Sequence, residues 1–205
     1  MIVVECRSPG SGNQHWTTIT RGLGRSRRPG GHGPDVLRED LPVVKKSSPG
    51  GTPATVALTR AGVAFTTHSY EHDPSATSFG LEAADVLGLP PEQVFKTLLA
   101  DVDGALVVAI VPVTGKLDLK ALAAAVGGKK AAMADPHVAE RTTGYVVGGI
   151  SPLGQKKGLR TVLDESATAY DTVYVSGGRR GFDLGLTPTD LAALTCATTA
   201  AIARG

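Results

Sequence analysis

Residues 94–113 read VFKTLLADVDGALVVAIVPV, two apolar runs separated by a turn signal, and this pair constrains the fold more than any other stretch. Runs rich in Val, Ile, Leu and Phe broken at Asp-Gly form an antiparallel hairpin. Both faces of both strands are largely apolar, so the hairpin belongs inside a sheet. Thr52-Pro53 opens a short helix that closes at Gly62, and VAFTTHSY (63–70) alternates as a strand. Ser78, Asp118, Asp135 and Thr187 stand where helix N-caps belong. GYVVGGISPLGQKKGLRTVLDES, TVYVSGG and FDLGL read as short strands and glycine turns, TCATTA leans towards strand, and AIARG reads as a frayed helical end. Strands outnumber long helices and several are joined by hairpin-length turns. The expected fold class is therefore α+β, one compact domain with a mixed, largely antiparallel sheet.

Lys96 interrupts the first run of the hairpin. Strand alternation puts it on one face with Leu98 and Ala100, and puts Phe95, Thr97 and Leu99 on the other. Neither Glu92, before the strand, nor Asp101, on the opposite face, can pair with it. Two readings follow. In one, the methylenes lie along the core and the ammonium reaches water. In the other, the cation stands at the mouth of a pocket to meet a carbonyl or phosphate oxygen.

The 205-residue chain divides near Gly51. Residues 1–51 are rich in Gly, Pro, Ser and Arg without apolar periodicity, which is the composition of a disordered extension. Residues 52–205 suffice for one domain with a core. The extension holds 8 Lys/Arg against 4 Asp/Glu and the domain 13 against 15, which together give the net charge of +2. The basic excess thus belongs to the extension, and Arg25, Arg27 and Arg28 there are candidate RNA contacts. Within the domain, Lys129-Lys130, Lys156-Lys157 with Arg160, and Arg179-Arg180 lie beside glycines and read either as solvated faces or as a phosphate-binding rim. No run is long enough to span a bilayer, no signal peptide is expected, and two cysteines fit a reducing cytosol.

The familiar catalytic patterns fail on spacing. His68 and His72 alternate along a strand that sets them with Tyr70 on one face, lack the glutamate that a helical zinc motif requires, and have no third ligand cluster beside them, so no metal is expected. In GGISPLGQKKG, Gln155 stands between Gly154 and Lys156 and breaks the phosphate-loop spacing. Cys196 reads as a core residue. Ser151 lacks the G-x-S-x-G elbow and Ser176 has no identifiable base, so no protein nucleophile is expected.

HSYEHDPSATSFG, VFKTLL, KLDLKALAAAVGGKKAAMADP, TTGYVVGGISPLGQKK and YVSGGRRGFDL, in this order, resemble the bacterial Cys-tRNA(Pro) deacylases. These are the YbaK-like trans-editing proteins related to the editing insertion domain of prolyl-tRNA synthetase. The likeness runs from Thr52 to about Arg204. It implies a curved sheet flanked by short helices and a cytoplasmic hydrolase, without cofactor or metal, that cleaves the ester of mischarged Cys-tRNA(Pro), with Cys-tRNA(Cys) a further candidate. It also implies that the substrate thiol attacks its own carbonyl, leaving a thiolactone and free tRNA. On this resemblance Lys96 is the essential lysine, with Thr97 beside it. Tyr70 and Phe79 form pocket wall, Gly148 and Gly149 the glycine loop, and Ser176 and Asp183 polar pocket positions. Aminoacyl-tRNA is the implied substrate, and the domain's weak charge suggests prolyl-tRNA synthetase as a transient partner. The alternatives are an Ala-tRNA(Pro) deacylase and a non-catalytic module that binds aminoacyl-tRNA or another RNA 3′ end.

Overall fold

The computed structural model describes residues 51–75 and 78–205. The basic extension and its arginines lie outside the described residues. Ten strands and five helices follow in the order α1 (Pro53–Arg60), β1 (Thr66–Ser69), α2 (Phe79–Leu87), β2 (Val94–Val102), β3 (Ala105–Pro112), β4 (Lys116–Leu117), α3 (Leu119–Ala125), β5 (Ala131–Met133), α4 (Pro136–Thr143), β6 (Arg160–Asp164), β7 (Val173–Arg179), β8 (Phe182–Leu186), α5 (Pro188–Thr195), β9 (Thr198–Ala200) and β10 (Ala203–Arg204).

The hairpin is the centre of the sheet. Asp103 and Gly104 both take positive φ, 51° and 87°, the geometry that turns two strands back with matching twist. Asp101 Oδ1 accepts the Gly104 N–H at 2.8 Å, and the Asp103 carboxylate accepts the N–H groups of Lys129 and Lys130 at 2.7 and 3.1 Å. β2 and β3 pair from Phe95/Pro112 to Val102/Ala105, within the strand order β1-β8-β7-β2-β3-β6-β9, while β5 pairs with β2. The β1/β8, β7/β8, β2/β3 and β2/β5 pairs are antiparallel, and β2/β7, β3/β6 and β6/β9 are parallel. A separate antiparallel pair joins β4 and β10. The sheet is thus mixed and mostly antiparallel, as its turn spacing suggests.

Both faces of the hairpin are covered. Phe95, Leu99, Val108 and Ile110 pack with Leu58 of α1, Ala139 of α4 and Leu191 of α5. Ala100, Val107, Ala109 and Val111 pack with Leu122 of α3, Leu117 and Ile202. This double burial explains why β3 reads as an unbroken apolar run. Burying each large aliphatic side chain contributes about 1.5–3 kcal/mol.

Helix starts follow the caps. Thr52, Asp118, Asp135 and Thr187 each accept first-turn N–H groups. Ser78 occupies the N-cap of α2, but its side chain makes no capping bond. Four expectations are corrected. β1 spans only Thr66–Ser69, so His68, Tyr70 and His72 do not share one strand face. Residues 144–159 form no strand: Gly144, Gly148 and Gly154 all have positive φ, and the Val147 N–H is taken by Glu140 Oε1 at 2.8 Å. Residues 203–204 form a strand rather than a helical end. Cys196 is exposed, not core, in the left-handed conformation that closes α5, and no cysteine among the described residues is a free thiol.

Candidate functional site

The site arises where the sheet loses its ladder. β7 pairs with β2 only at Val94/Tyr174 and Phe95/Val175. It then bulges between Ser176 and Arg179, with Gly178 at φ 100°, and a bulge bends its strand. On the same edge β5 resumes pairing only at Ala100. Between them, on this edge, residues 96–98 of β2 have no strand partner. The Leu99 carbonyl accepts the Ala134 N–H at 3.0 Å on this edge, so by alternation the N–H and C=O of Thr97 point the same way. The Thr97 hydroxyl oxygen is buried without a hydrogen-bond partner.

This opening is a cavity of about 330 Å³. Seven of the eight residues singled out from sequence line it: Tyr70, Phe79, Lys96, Thr97, Gly148, Ser176 and Asp183. Gly149 does not. It turns behind the cavity wall, where a Cβ would stand 2.8 Å from Cα and C of Arg179. Gly148, at φ 87°, lies flat against the Phe79 ring, which a Cβ there would meet at 2.8 Å. Arg179, singled out with Arg180 as a possible phosphate-binding rim, lines the wall too, whereas sequence reasoning missed Met133, Ala134 and Ile150, which complete it. Only their place beside the glycine turns and the α4 cap could have suggested them.

Phe79 is held on several sides. The Arg180 guanidinium lies 5.1 Å from its ring centroid and donates from Nε and Nη2 to the Val147 carbonyl at 3.0 and 2.9 Å. The His72 ring sits 5.2 Å away, fixed by an Nδ1 contact to Glu82 Oε2 at 2.8 Å. Tyr70 donates its hydroxyl to the Phe79 carbonyl at 3.4 Å. Burial, followed by the charges of Asp183 and Glu82, pushes the Tyr70 hydroxyl up to about 12, so it remains a neutral donor.

Two ionisable groups face the cavity in opposite circumstances. Lys96 Nζ donates to the carbonyls of Gly115 at 2.6 Å and Val113 at 3.3 Å, beyond the end of β3. Its ammonium has three N–H groups, so one is free of these bonds. Desolvation, and then the charge of Lys116, lowers its pKa from the usual lysine range. Among the described residues the ammonium is therefore tied to two carbonyls and paired with no carboxylate. Asp183 is buried, and burial alone raises its carboxyl to about 6. It has no ion-pair partner among the described residues.

Among the described residues no serine is set up beside them as a nucleophile. Ser176 Oγ accepts the Gly178 N–H at 3.4 Å and makes no bond to a base among the described residues. Of the basic clusters, only Arg179-Arg180 stands at the cavity. Lys129 and Lys130 sit at the hairpin end of β2, and Arg160 Nη1 is spent on the Val126 carbonyl at 2.7 Å. No helix among the described residues is long and apolar enough to cross a membrane.

Fold and cavity together place a cation, Lys96, and an unpaired carboxylate, Asp183, on the lining of one small cavity. The chain belongs to the aminoacyl-tRNA editing domain family, which matches residues 72–194. A protein of Enterococcus faecalis, provisionally named Cys-tRNA(Pro)/Cys-tRNA(Cys) deacylase EbsC, is 43% identical over 114 residues, 55% of this chain and 69% of that one. A crystal structure described provisionally as a trans-editing enzyme for prolyl-tRNA synthetase is 28% identical, with a TM-score of 0.66 over 78% of this chain and all of its own. Another, of a protein with no assigned function, has a TM-score of 0.67 at 23% identity over 75% of this chain and shares the fold.

Proposed function

We propose that this chain is a trans-editing hydrolase that clears cysteine from tRNA(Pro), accepts Cys-tRNA(Cys) as well, and uses Lys96 at the reacting ester. The observation that carries this is a cavity sized for one amino acid that holds a positioned ammonium and a bare carboxylate but no serine or cysteine coupled to a base. The family and the named relative support the reaction class.

The chemistry then comes from the substrate. Its thiol sulfur bonds to the ester carbonyl carbon, the carbon–oxygen bond to the ribose breaks, and the thiol proton ends on the departing ribose hydroxyl. The cysteine leaves as a thiolactone that water opens. Negative charge grows on the carbonyl oxygen in the transition state, where the third N–H of Lys96 stabilises it. Asp183, ionised above about pH 6, accepts the α-ammonium and gains the counter-charge that the fold withholds. Tyr70, Phe79, Thr97, Gly148 and Ser176 shape the rest of the pocket, with Gly149 holding the loop behind it. The slight negative balance of residues 52–205 makes tRNA affinity weak on its own, which favours prolyl-tRNA synthetase as a transient partner.

The test is a deacylation time course on Cys-tRNA(Pro), Cys-tRNA(Cys), Ala-tRNA(Pro) and Ser-tRNA(Pro), with the unmodified chain and Lys96→Ala. Loss of only the cysteinyl esters, dependent on Lys96, is expected. Equal turnover of the alanyl ester would refute thiol assistance and assign an alanine deacylase. Stable esters throughout, with salt-sensitive tRNA binding, would leave a binding module.

A further inference from the structure

Lys96 is held by two carbonyls from a turn, and that turn is fastened from the far side of the fold. Gly115 N–H bonds back to the Pro112 carbonyl at 3.1 Å, which sets the bend after β3. Immediately beyond, β4 pairs with β10 in the register Lys116/Arg204 and Leu117/Ala203. Gly115 itself lies so close to this strand that a Cβ there would stand 3.2 Å from the Arg204 carbonyl oxygen and 3.5 Å from Ala203 Cβ. The Asp118 N–H adds a bond to the Ile202 carbonyl at 2.8 Å.

β10 is in turn anchored by one buried carboxylate. Asp164, at the end of β6, accepts the N–H groups of Ile202 at 2.9 Å and Ala203 at 2.7 Å on Oδ2, and both the N–H and the hydroxyl of Ser166 on Oδ1. Burial opposes ionisation there, yet these bonds from Ser166, Ile202 and Ala203 hold the carboxyl below its ordinary range. Asp164 is 4% exposed and touches neither the cavity nor Lys96. Two of these four charge-assisted bonds, from Ile202 and Ala203, tie the β10 segment to the end of β6, and the two from Ser166 fix the carboxylate itself.

We infer that Asp164 and the β10 segment form a clasp whose role in the reaction is to position Lys96: Asp164 holds β10, β10 holds the Lys116 end of the turn, and the turn presents the Gly115 and Val113 carbonyls to the ammonium. Asp164 and Ala203 are thus positioning residues for the lysine on which the proposed deacylation rests. A lysine tethered by two carbonyls keeps its head where the ester arrives. With the turn released, the flexible stem spreads the ammonium over many positions, and alignment lost by even a fraction of an ångström lowers the rate steeply.

The clasp can be opened without touching the pocket. Ala203→Pro removes the N–H that Asp164 accepts and keeps the face that pairs with β4, and Asp164→Asn replaces Oδ2 or Oδ1 by a donor. Each variant is labelled with an amine-reactive ester, and modification of Lys96 is compared by mass spectrometry with that of Lys156 in the same sample. Deacylation of Cys-tRNA(Pro) is followed in parallel. Leu58→Ala, in the core on the opposite face, controls for general loosening. Expected is an increase of at least fivefold in relative Lys96 labelling in both clasp variants, with kcat at least tenfold lower and KM within twofold, while Leu58→Ala changes the labelling ratio less than twofold. A ratio unchanged in both clasp variants, or matched by Leu58→Ala, overturns the clasp, as does an unchanged kcat. An unmodified chain inactive on every ester would overturn the deacylase reading instead, and the labelling ratio reads the clasp independently of it.

Discussion

Asp183→Asn tests the electrostatics of the cavity through stability. Burial raises the Asp183 carboxyl from 3.8 to about 6. Between these values the unfolded chain has released its proton while the folded chain retains it, so rising pH favours unfolding. Below about pH 4 both states are protonated and no penalty exists. Above about pH 6 the penalty is complete, and the interval of roughly two pH units corresponds to about 3 kcal/mol. Asparagine never ionises, so the variant gains that amount at pH 8 and not at pH 4. For a chain of this size each kcal/mol moves the melting temperature by about 2–4 °C, so the gain is about 6–12 °C. Melting both proteins at pH 4 and pH 8 isolates the effect, because any intrinsic cost of the amide is common to both. A difference between variant and parent that is no larger at pH 8 than at pH 4 would refute the reasoning. The gain comes with a functional loss: the variant no longer distinguishes a cysteinyl ester from a 3-mercaptopropionyl ester that lacks the amino group, which competition between the two esters measures.

Other expectations are simpler. Lys96→Met lowers kcat for the cysteinyl ester at least about a hundredfold, on the scale of losing a positioned transition-state donor, and single-turnover deacylation reads it. Lys96→Arg does not restore the rate, since a planar guanidinium cannot replace a compact ammonium between two carbonyls. Gly149→Ala drives a Cβ to 2.8 Å from the Arg179 backbone, which costs about 1–3 kcal/mol in thermal melts and abolishes turnover, whereas Gly158→Ala, with nothing within 4 Å, is neutral in both. Arg180→Ala frees the Val147 carbonyl and the Phe79 ring, and steady-state kinetics show KM raised severalfold with kcat little changed.

The hairpin could be read directly because its signals are local: an Asp-Gly turn and an apolar run too continuous for a one-sided sheet. The faces of β2 follow as well, since alternation needs no tertiary information, and Leu98 and Ala100 do share the core face opposite Phe95 and Leu99. What alternation could not show was the destination of the Lys96 head, because the carbonyls of Val113 and Gly115 are brought there by a turn 17 and 19 residues away. Residues 144–159 misled for a related reason. Val146 and Val147 look like strand, but Glu140 captures the N–H that a ladder would need, and the glycines choose turns. His72 likewise reads as a strand residue until Glu82, ten positions on, claims its ring. The gap beside Thr97 is invisible in sequence because it is set by where two other strands stop pairing.

That gap also sets a length. Three residues of strand, 96–98, at about 3.3 Å each, bound an opening of roughly 10 Å, closed at one end by β7 and at the other by β5. Its walls are strands of a single sheet joined through shared neighbours, so they cannot part as two domains would. On the proposed reading, such a slot takes one aminoacyl group with its amino group against Asp183, and the fixed spacing of its strands sets the size of the group it can hold.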